Sequence, residues 1–168
     1  MAPIARILLV VLVFASGCSN GNQVTEVTGD TGMCTPSEPV FTGEPLEGAN
    51  LPGSVIEAVV TCPESNMSDD RIAGATESDF RCEYVNRDGV IVAECTADKV
   101  ITNNGGTWTE DGGTFTITGT GFPDDGLVVQ DGVMLGTGDY AGLQYTYHME
   151  GIEHAYPWTI TGTIEPTT

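Results

Sequence analysis

The chain has 168 residues, 40% of them hydrophobic, and sets 24 acidic side chains against only 5 lysines and arginines, a formal net charge of −19. A surface this acidic repels nucleic acid phosphates and anionic lipid headgroups, which excludes nucleic acid as a partner. The length suits one domain with its own core and leaves no room for a second once the amino-terminal segments are set aside.

In chain order, Arg6 precedes an apolar run from Ile7 to Ala15 that ends in Ser16, Gly17 and Cys18. This is the layout of a secretory signal, and the run is shorter than the roughly 20 apolar residues that span a bilayer. The sequence Phe14-Ala15-Ser16-Gly17-Cys18 resembles the bacterial lipobox, with alanine standing where leucine is commoner. The resemblance implies removal of residues 1–17 and acylation of Cys18. Acyl chains at about 0.8 kcal/mol per buried CH2 then hold the protein on a membrane surface. The expected location is extracytoplasmic, lipid-anchored to the cell membrane or outer envelope, with the membrane as partner through the anchor. After such cleavage Arg71, Arg81, Arg87 and Lys99 are the basic side chains left against all 24 acids.

Residues 18–33 hold the lipidated cysteine and a Gly-, Thr-, Asn- and acid-rich stretch too poor in apolar side chains to fold, a flexible tether. Over 34–53 the prolines Pro36, Pro39, Pro45 and Pro52 forbid helix or central strand and leave an extended approach segment. The domain proper is expected over 54–168.

Cysteine count supports export. Five cysteines would leave one unpaired in an oxidising compartment, and lipidation of Cys18 leaves Cys34, Cys62, Cys82 and Cys95. Residues 80–95 read as two strands about Asp88-Gly89, the strongest short hairpin signal. With those two residues as the loop, Arg87 faces Val90, Val85 faces Val92 and Cys82 faces Cys95, about 4.5 Å apart at Cα in a non-hydrogen-bonded pair. Cys82–Cys95 is therefore predicted, and Cys34–Cys62 by elimination. No C-x-x-C pair suggests a thiolate metal site. Phe80, Cys82, Tyr84, Ile91, Ala93 and Cys95 share the apolar face of this hairpin.

Further on, Trp108 and the pair Phe115, Ile117 flank Asp111-Gly112-Gly113 and alternate with threonines, which predicts a second hairpin turning at Asp-Gly or Gly-Gly. Leu143, Tyr145, Tyr147 and Met149 alternate with polar residues, as do Trp158, Ile160 and Ile164, giving neighbouring antiparallel strands joined by a loop over 151–157. Candidates near 54–62, 70–76, 97–102 and 126–136 bring the total to about eight strands, an all-β fold. A single antiparallel barrel, which abolishes exposed edges, is preferred over a β-sandwich.

The segment Gly136-Thr137-Gly138-Asp139-Tyr140-Ala141-Gly142-Leu143, followed by a threonine-rich strand and the ending 158–164, resembles the G-x-G-x-[YF]-x-G signature of dirigent and allene oxide cyclase-like β-barrels. The resemblance implies an eight-stranded barrel whose interior is filled or holds an apolar ligand. Active-site residues of the plant cyclases have no matched positions here, so their activity does not carry over with the motif. Read from the residues alone, Gly136, Gly138 and Gly142 relieve steric limits at a sharp turn and bulge, and Tyr140 packs over the backbone they leave bare.

No nucleophile elbow, zinc-protease helix or phosphate loop is present, and no cofactor or catalytic residue is assigned. Asp124-Asp125-Gly126 and Glu110-Asp111-Gly112 lack the ligand spacing of a calcium loop. His148, Glu150, Glu153 and His154 would form a metal or acid–base site only if strand and loop converged; otherwise His148 is a surface residue. Tyr145, Tyr147, Trp158 and Trp108 are candidates to line a pocket, against the plainer reading as core. Three functional classes follow: a lipid-anchored binding or scaffold module taking a small apolar ligand, an isomerase or cyclase that encloses a flexible substrate, and a structural or adhesive surface protein. A filled interior points to the last, an apolar pocket to the first, and a pocket with convergent polar groups to the second.

Overall fold

The computed structural model describes residues 23–48, 51–119 and 125–168, so the signal segment, Cys18 and Asp124 lie outside the described residues. Eleven strands form one antiparallel sheet: β1 Thr25–Asp30, β2 Thr35–Pro36, β3 Val40–Thr42, β4 Val55–Cys62, β5 Asn66–Met67, β6 Ala75–Arg87, β7 Val90–Asn103, β8 Gly106–Gly119, β9 Leu127–Gly136, β10 Leu143–Ile152 and β11 Ala155–Pro166. A 3-10 turn, Gly138–Tyr140, links β9 to β10, and there is no α-helix among the described residues. The fold is all-β, in one sheet rather than the two of a sandwich.

Ten strands follow the path β2-β4-β6-β7-β8-β9-β10-β11-β1-β5, with β3 also on β4. The path is longer than the expected eight strands, and its edges β2 and β5 do not pair with each other. It nevertheless must curl. Residues 31–34 carry the chain from β1, beside one edge, straight to β2 at the other, and residues 63–65 cross the same gap from β4 to β5. At 3.8 Å per Cα step, links this short pull the two edges together into a half-barrel. Cys34–Cys62 fastens the crossing, with its Cα atoms 4.1 Å apart.

The hairpin of β6 and β7 follows the predicted register, with Cys82 opposite Cys95. That pair is bonded, Cα atoms 4.0 Å apart, and Asp88 and Gly89 take the positive φ values, 55° and 86°, that a two-residue turn of this hand requires. Both predicted disulfides form, which places the domain in an oxidising, extracytoplasmic setting.

Four expectations need correction. Thr25–Asp30, assigned to the tether, is a strand between β11 and β5: threonine-rich backbone supplies the ladder and one buried side chain, Val27, anchors it. The proline-rich segment contributes β2 and β3, short edge strands on β4 where a missing N–H costs nothing. Residues 69–73 form a turn held by Asp69 and Arg71, so β6 begins only at Ala75. Finally, 111–113 is no hairpin turn. β8 runs unbroken from Gly106 to Gly119, and the reversal comes earlier, at 104–105. Opposite Ala97 and Lys99 stand Gly113 and Glu110, one residue more on β8 than on β7, and Gly112 takes φ 64°. This is a β-bulge, in which glycine accepts the left-handed conformation.

Candidate functional site

The bulge decides which way Glu110 points. Without it Trp108 and Ile117, nine positions apart, would face opposite sides of the strand; one extra residue shifts the alternation and turns both inward, and Glu110 with them. Inward positions of β7 run Ile91, Ala93, Cys95, Ala97, Lys99 and Ile101, all buried. On β9 they include Val128, Gln130 and Met134, and on β10 Tyr145, Tyr147 and Met149. Lys99, Glu110, Gln130 and Tyr147 thus come from four consecutive strands onto one inner face.

They touch. Lys99 Nζ donates to Gln130 Oε1 and to Tyr147 Oη, both at 2.7 Å, and lies 4.5 Å from the centre of the Tyr147 ring. Tyr147 Oη in turn donates to Glu110 Oε2 at 2.6 Å, which also accepts from Gln130 Nε2 at 3.2 Å. Two glycines make room: a Cβ on Gly113 would meet the Glu110 carboxyl, and one on Gly132 would meet both that carboxyl and the Tyr147 ring. Burial pushes the Lys99 ammonium down from 10.5 to about 8, only partly opposed by the Glu110 charge. About a tenth of such an amine is neutral at pH 7. Tyr147 is pushed up, first by burial and then by Glu110, so its hydroxyl keeps its proton.

Beside this cluster the curled sheet holds a partly open cavity of about 110 Å³. Its walls are mostly apolar, with Phe80, Ile101, Met134, Met149, Trp158 and Ile160 among them, and Lys99, Gln130, Tyr145, Tyr147 and Glu153 supply polar groups. An apolar cavity of roughly 150 Å³ takes a benzene ring, so a molecule of that size fits here with part of it at the open side of the cavity. The Tyr145 hydroxyl is buried and has no hydrogen-bond partner among the described residues. An unsatisfied buried hydroxyl costs on the order of 1–3 kcal/mol, which a ligand acceptor would recover. Glu153, at the turn from β10 to β11, is raised to about 7 by burial, with the Tyr84 hydroxyl pulling the other way.

The four suspected pocket aromatics divide. Tyr145, Tyr147 and Trp158 line the cavity. Trp108 does not: it is 0% exposed, stacked on Tyr140 at 5.2 Å, with its indole N–H donated to the Arg71 carbonyl at 2.6 Å. In the glycine motif Gly138 and Gly142 take φ 62° and 84°, and Tyr140 lies against Gly136 and Gly105 with its hydroxyl donating to Asn103 at 2.6 Å.

The suspected metal or acid–base group is not assembled. β10 continues to Ile152 and β11 begins at Ala155, so the expected loop over 151–157 shrinks to a two-residue turn, Glu153-His154, made possible by φ 61° at His154. His148 and Glu150 stay on the outer face, where Asp131 at 2.8 Å holds the imidazole pKa above its usual value. Glu153 turns into the cavity, its side chain 15% exposed. His148 and Glu150 share the outer face of β10, whereas in the turn Glu153 points inward and His154 stays exposed, so the four do not converge.

Lys99, Glu110 and Gln130 are the functional candidates that sequence reading missed. A polar residue in an otherwise apolar alternating row was the available signal for Lys99 and Gln130. Comparison of the chain with family models, with curated proteins and with solved structures found no match.

Proposed function

We propose that this is an extracytoplasmic binding module, anchored through acylated Cys18, that encloses a small and largely apolar molecule inside its curled sheet. The observation that carries the reading is the cavity itself: apolar walls, one buried polar cluster to orient a ligand, and a Tyr145 hydroxyl without a partner among the described residues. Sites of this composition, mostly apolar with few placed polar groups, are typical of small-molecule binding. The eight longest neighbours on the path, β4 and β6 to β11 with β1, are close in number to the barrel that the glycine motif suggested, and chain crossings and Cys34–Cys62 draw the edges of this half-barrel toward each other. The acidic exterior keeps such a module soluble above its membrane.

Native mass spectrometry of the domain from its producing cells tests this. The expected result is a retained small mass that leaves on denaturation, together with a melting temperature raised by small aromatic compounds. A domain that carries no mass and that no such compound stabilises would return the protein to the structural or adhesive class. The convergence of Lys99, Tyr147, Glu110 and Gln130 supports a second reading, an isomerase or cyclase acting on an enclosed substrate; turnover of a bound compound, lost on substitution at the cluster, separates it from simple binding.

A further inference from the structure

We propose that Lys99 is a covalent capture site, whose amine forms an imine with a small aldehyde or ketone that enters the cavity. The inference rests on the reading of the cavity as a ligand site and names the ligand class.

Lys99 is the only lysine in the chain. Among 24 acids almost any surface position would offer it a counter-charge, yet it stands on the inner wall, 7% exposed. A buried ion pair is weak evidence for stability, since apolar residues of the same volume usually serve as well or better. A perturbed amine facing a cavity is a functional candidate.

The surroundings supply what imine formation needs. Burial favours the neutral amine, whose lone pair is the nucleophile. Gln130 Oε1 and Tyr147 Oη fix the nitrogen from two directions. The lone pair attacks the carbonyl carbon and the π pair moves to oxygen. Both amine protons then pass to that oxygen by way of the Tyr147 hydroxyl and the Glu110 carboxylate, which are already hydrogen-bonded. The oxygen leaves as water and the C=N bond forms. One carbonyl and one amine become one imine and one water, with no change of oxidation state. Protonation of the imine restores a cation opposite Glu110.

A carboxylate ligand fits less well. Glu110 already balances the charge of Lys99, so an anion would enter without a second cation to meet it. The apolar wall selects against sugars, and Tyr145, whose ring is 5.5 Å from that of Tyr147, offers a donor for a second polar atom of the ligand.

The test is reductive trapping. The full-length chain is incubated with benzaldehyde and sodium cyanoborohydride at pH 7, with Nα-acetyl-lysine as reference, and mapped by peptide mass. The expected result is a benzyl group on Lys99, beside any on the amino-terminal amine, formed roughly two- to threehundredfold faster than on the reference, as the neutral fractions of the two lysine amines dictate. The double variant K99M/E110Q, which strands neither charge, should keep its circular dichroism and lose the adduct. Thermal shift with benzyl alcohol, which has the same ring and no carbonyl, separates the two levels of the reading. Stabilisation by benzyl alcohol without a Lys99 adduct, or an adduct formed no faster than on the reference, overturns capture and leaves the binding module. Neither adduct nor stabilisation overturns both.

Discussion

Ile101 and Trp108 are partners across β7 and β8, and one inward step along the same two strands the partners are Lys99 and Glu110. In the first layer every ring is packed and the polar atoms are matched: Trp108 on Tyr140, its N–H on the Arg71 carbonyl, the Tyr140 hydroxyl on Asn103. In the second, a cation and a carboxylate are buried beside open space. The same two strands serve both layers, and the second lies at the bulge between Lys99–Glu110 and Ala97–Gly113. One layer holds the sheet in its curl, and the other uses the rigidity so obtained to keep polar groups in an apolar chamber that could not fold around them unaided.

The contrast is broken most sharply at Trp108. Trp108→Ala removes a fully buried side chain and should cost about 3–5 kcal/mol, a large share of a total stability of about 5–15. The urea midpoint should fall with the slope unchanged. A loss below about 1 kcal/mol would mean that the layer collapses freely and anchors nothing.

Next comes the polar layer. Lys99→Met alone leaves the Glu110 carboxylate buried without its counter-charge and should cost on the order of 3 kcal/mol, whereas K99M/E110Q should recover most of the loss. A double-mutant cycle should give a coupling of about 2 kcal/mol. Additive effects at these two positions would show that they do not act as a unit. Smaller again is Gly132→Ala, which sets a methyl group against Glu110 and the Tyr147 ring. Overpacking there should cost about 2 kcal/mol and shift the Lys99 titration, while Gly142→Ala, at a turn with open space, is strained only by its positive φ.

The disulfide hairpin was legible in the amino acids and the polar layer was not, for physical reasons. Alternation named Cys82, Tyr84, Ile91, Ala93 and Cys95 as one inward row, and the Asp88-Gly89 turn fixed their register to the residue. Lys99 follows the same alternation on the same strand. It escaped because the pattern gives β7 as two segments, 90–95 and 97–102, so the inward row of the first is not carried into the second, where Lys99 lies. Glu110 could not have been placed by pattern. Its direction depends on a one-residue bulge, and Asp111-Gly112-Gly113 signals a turn as well as a bulge, since both use glycine at positive φ. Trp108 was half legible: its inward direction was read correctly, but only tertiary contact with Tyr140 and Arg71 decides that it fills space instead of lining it.

The weakest effect is also the one that reports on the chamber without a mutation. Glu153 has its folded pKa raised from 4.5 to about 7, so the folded state binds more protons than the unfolded chain across that interval, and stability must fall as pH rises through it. Lys99 has its folded pKa lowered from 10.5 to about 8; above pH 8 the unfolded chain binds more protons, and stability must rise. The melting temperature should therefore pass through a trough near neutrality, each limb worth about 1 kcal/mol once relaxation and water entry discount the burial penalty. Asp69, held down by Arg71, acts only below its ordinary value of 3.8, outside both limbs. His148 is held up by Asp131 on the outer face, and its contribution, present below 6.5, is lost as pH rises, in the same direction as that of Glu153. Glu153→Gln isolates the inner group: it should flatten most of the acid limb and leave the rise between pH 8 and 10 intact, before the tyrosines of the unfolded chain ionise. A melting temperature that climbs steadily from pH 5 to 7 would show that Glu153 is not held in the apolar interior, and a flat profile from 8 to 10 would say the same of Lys99.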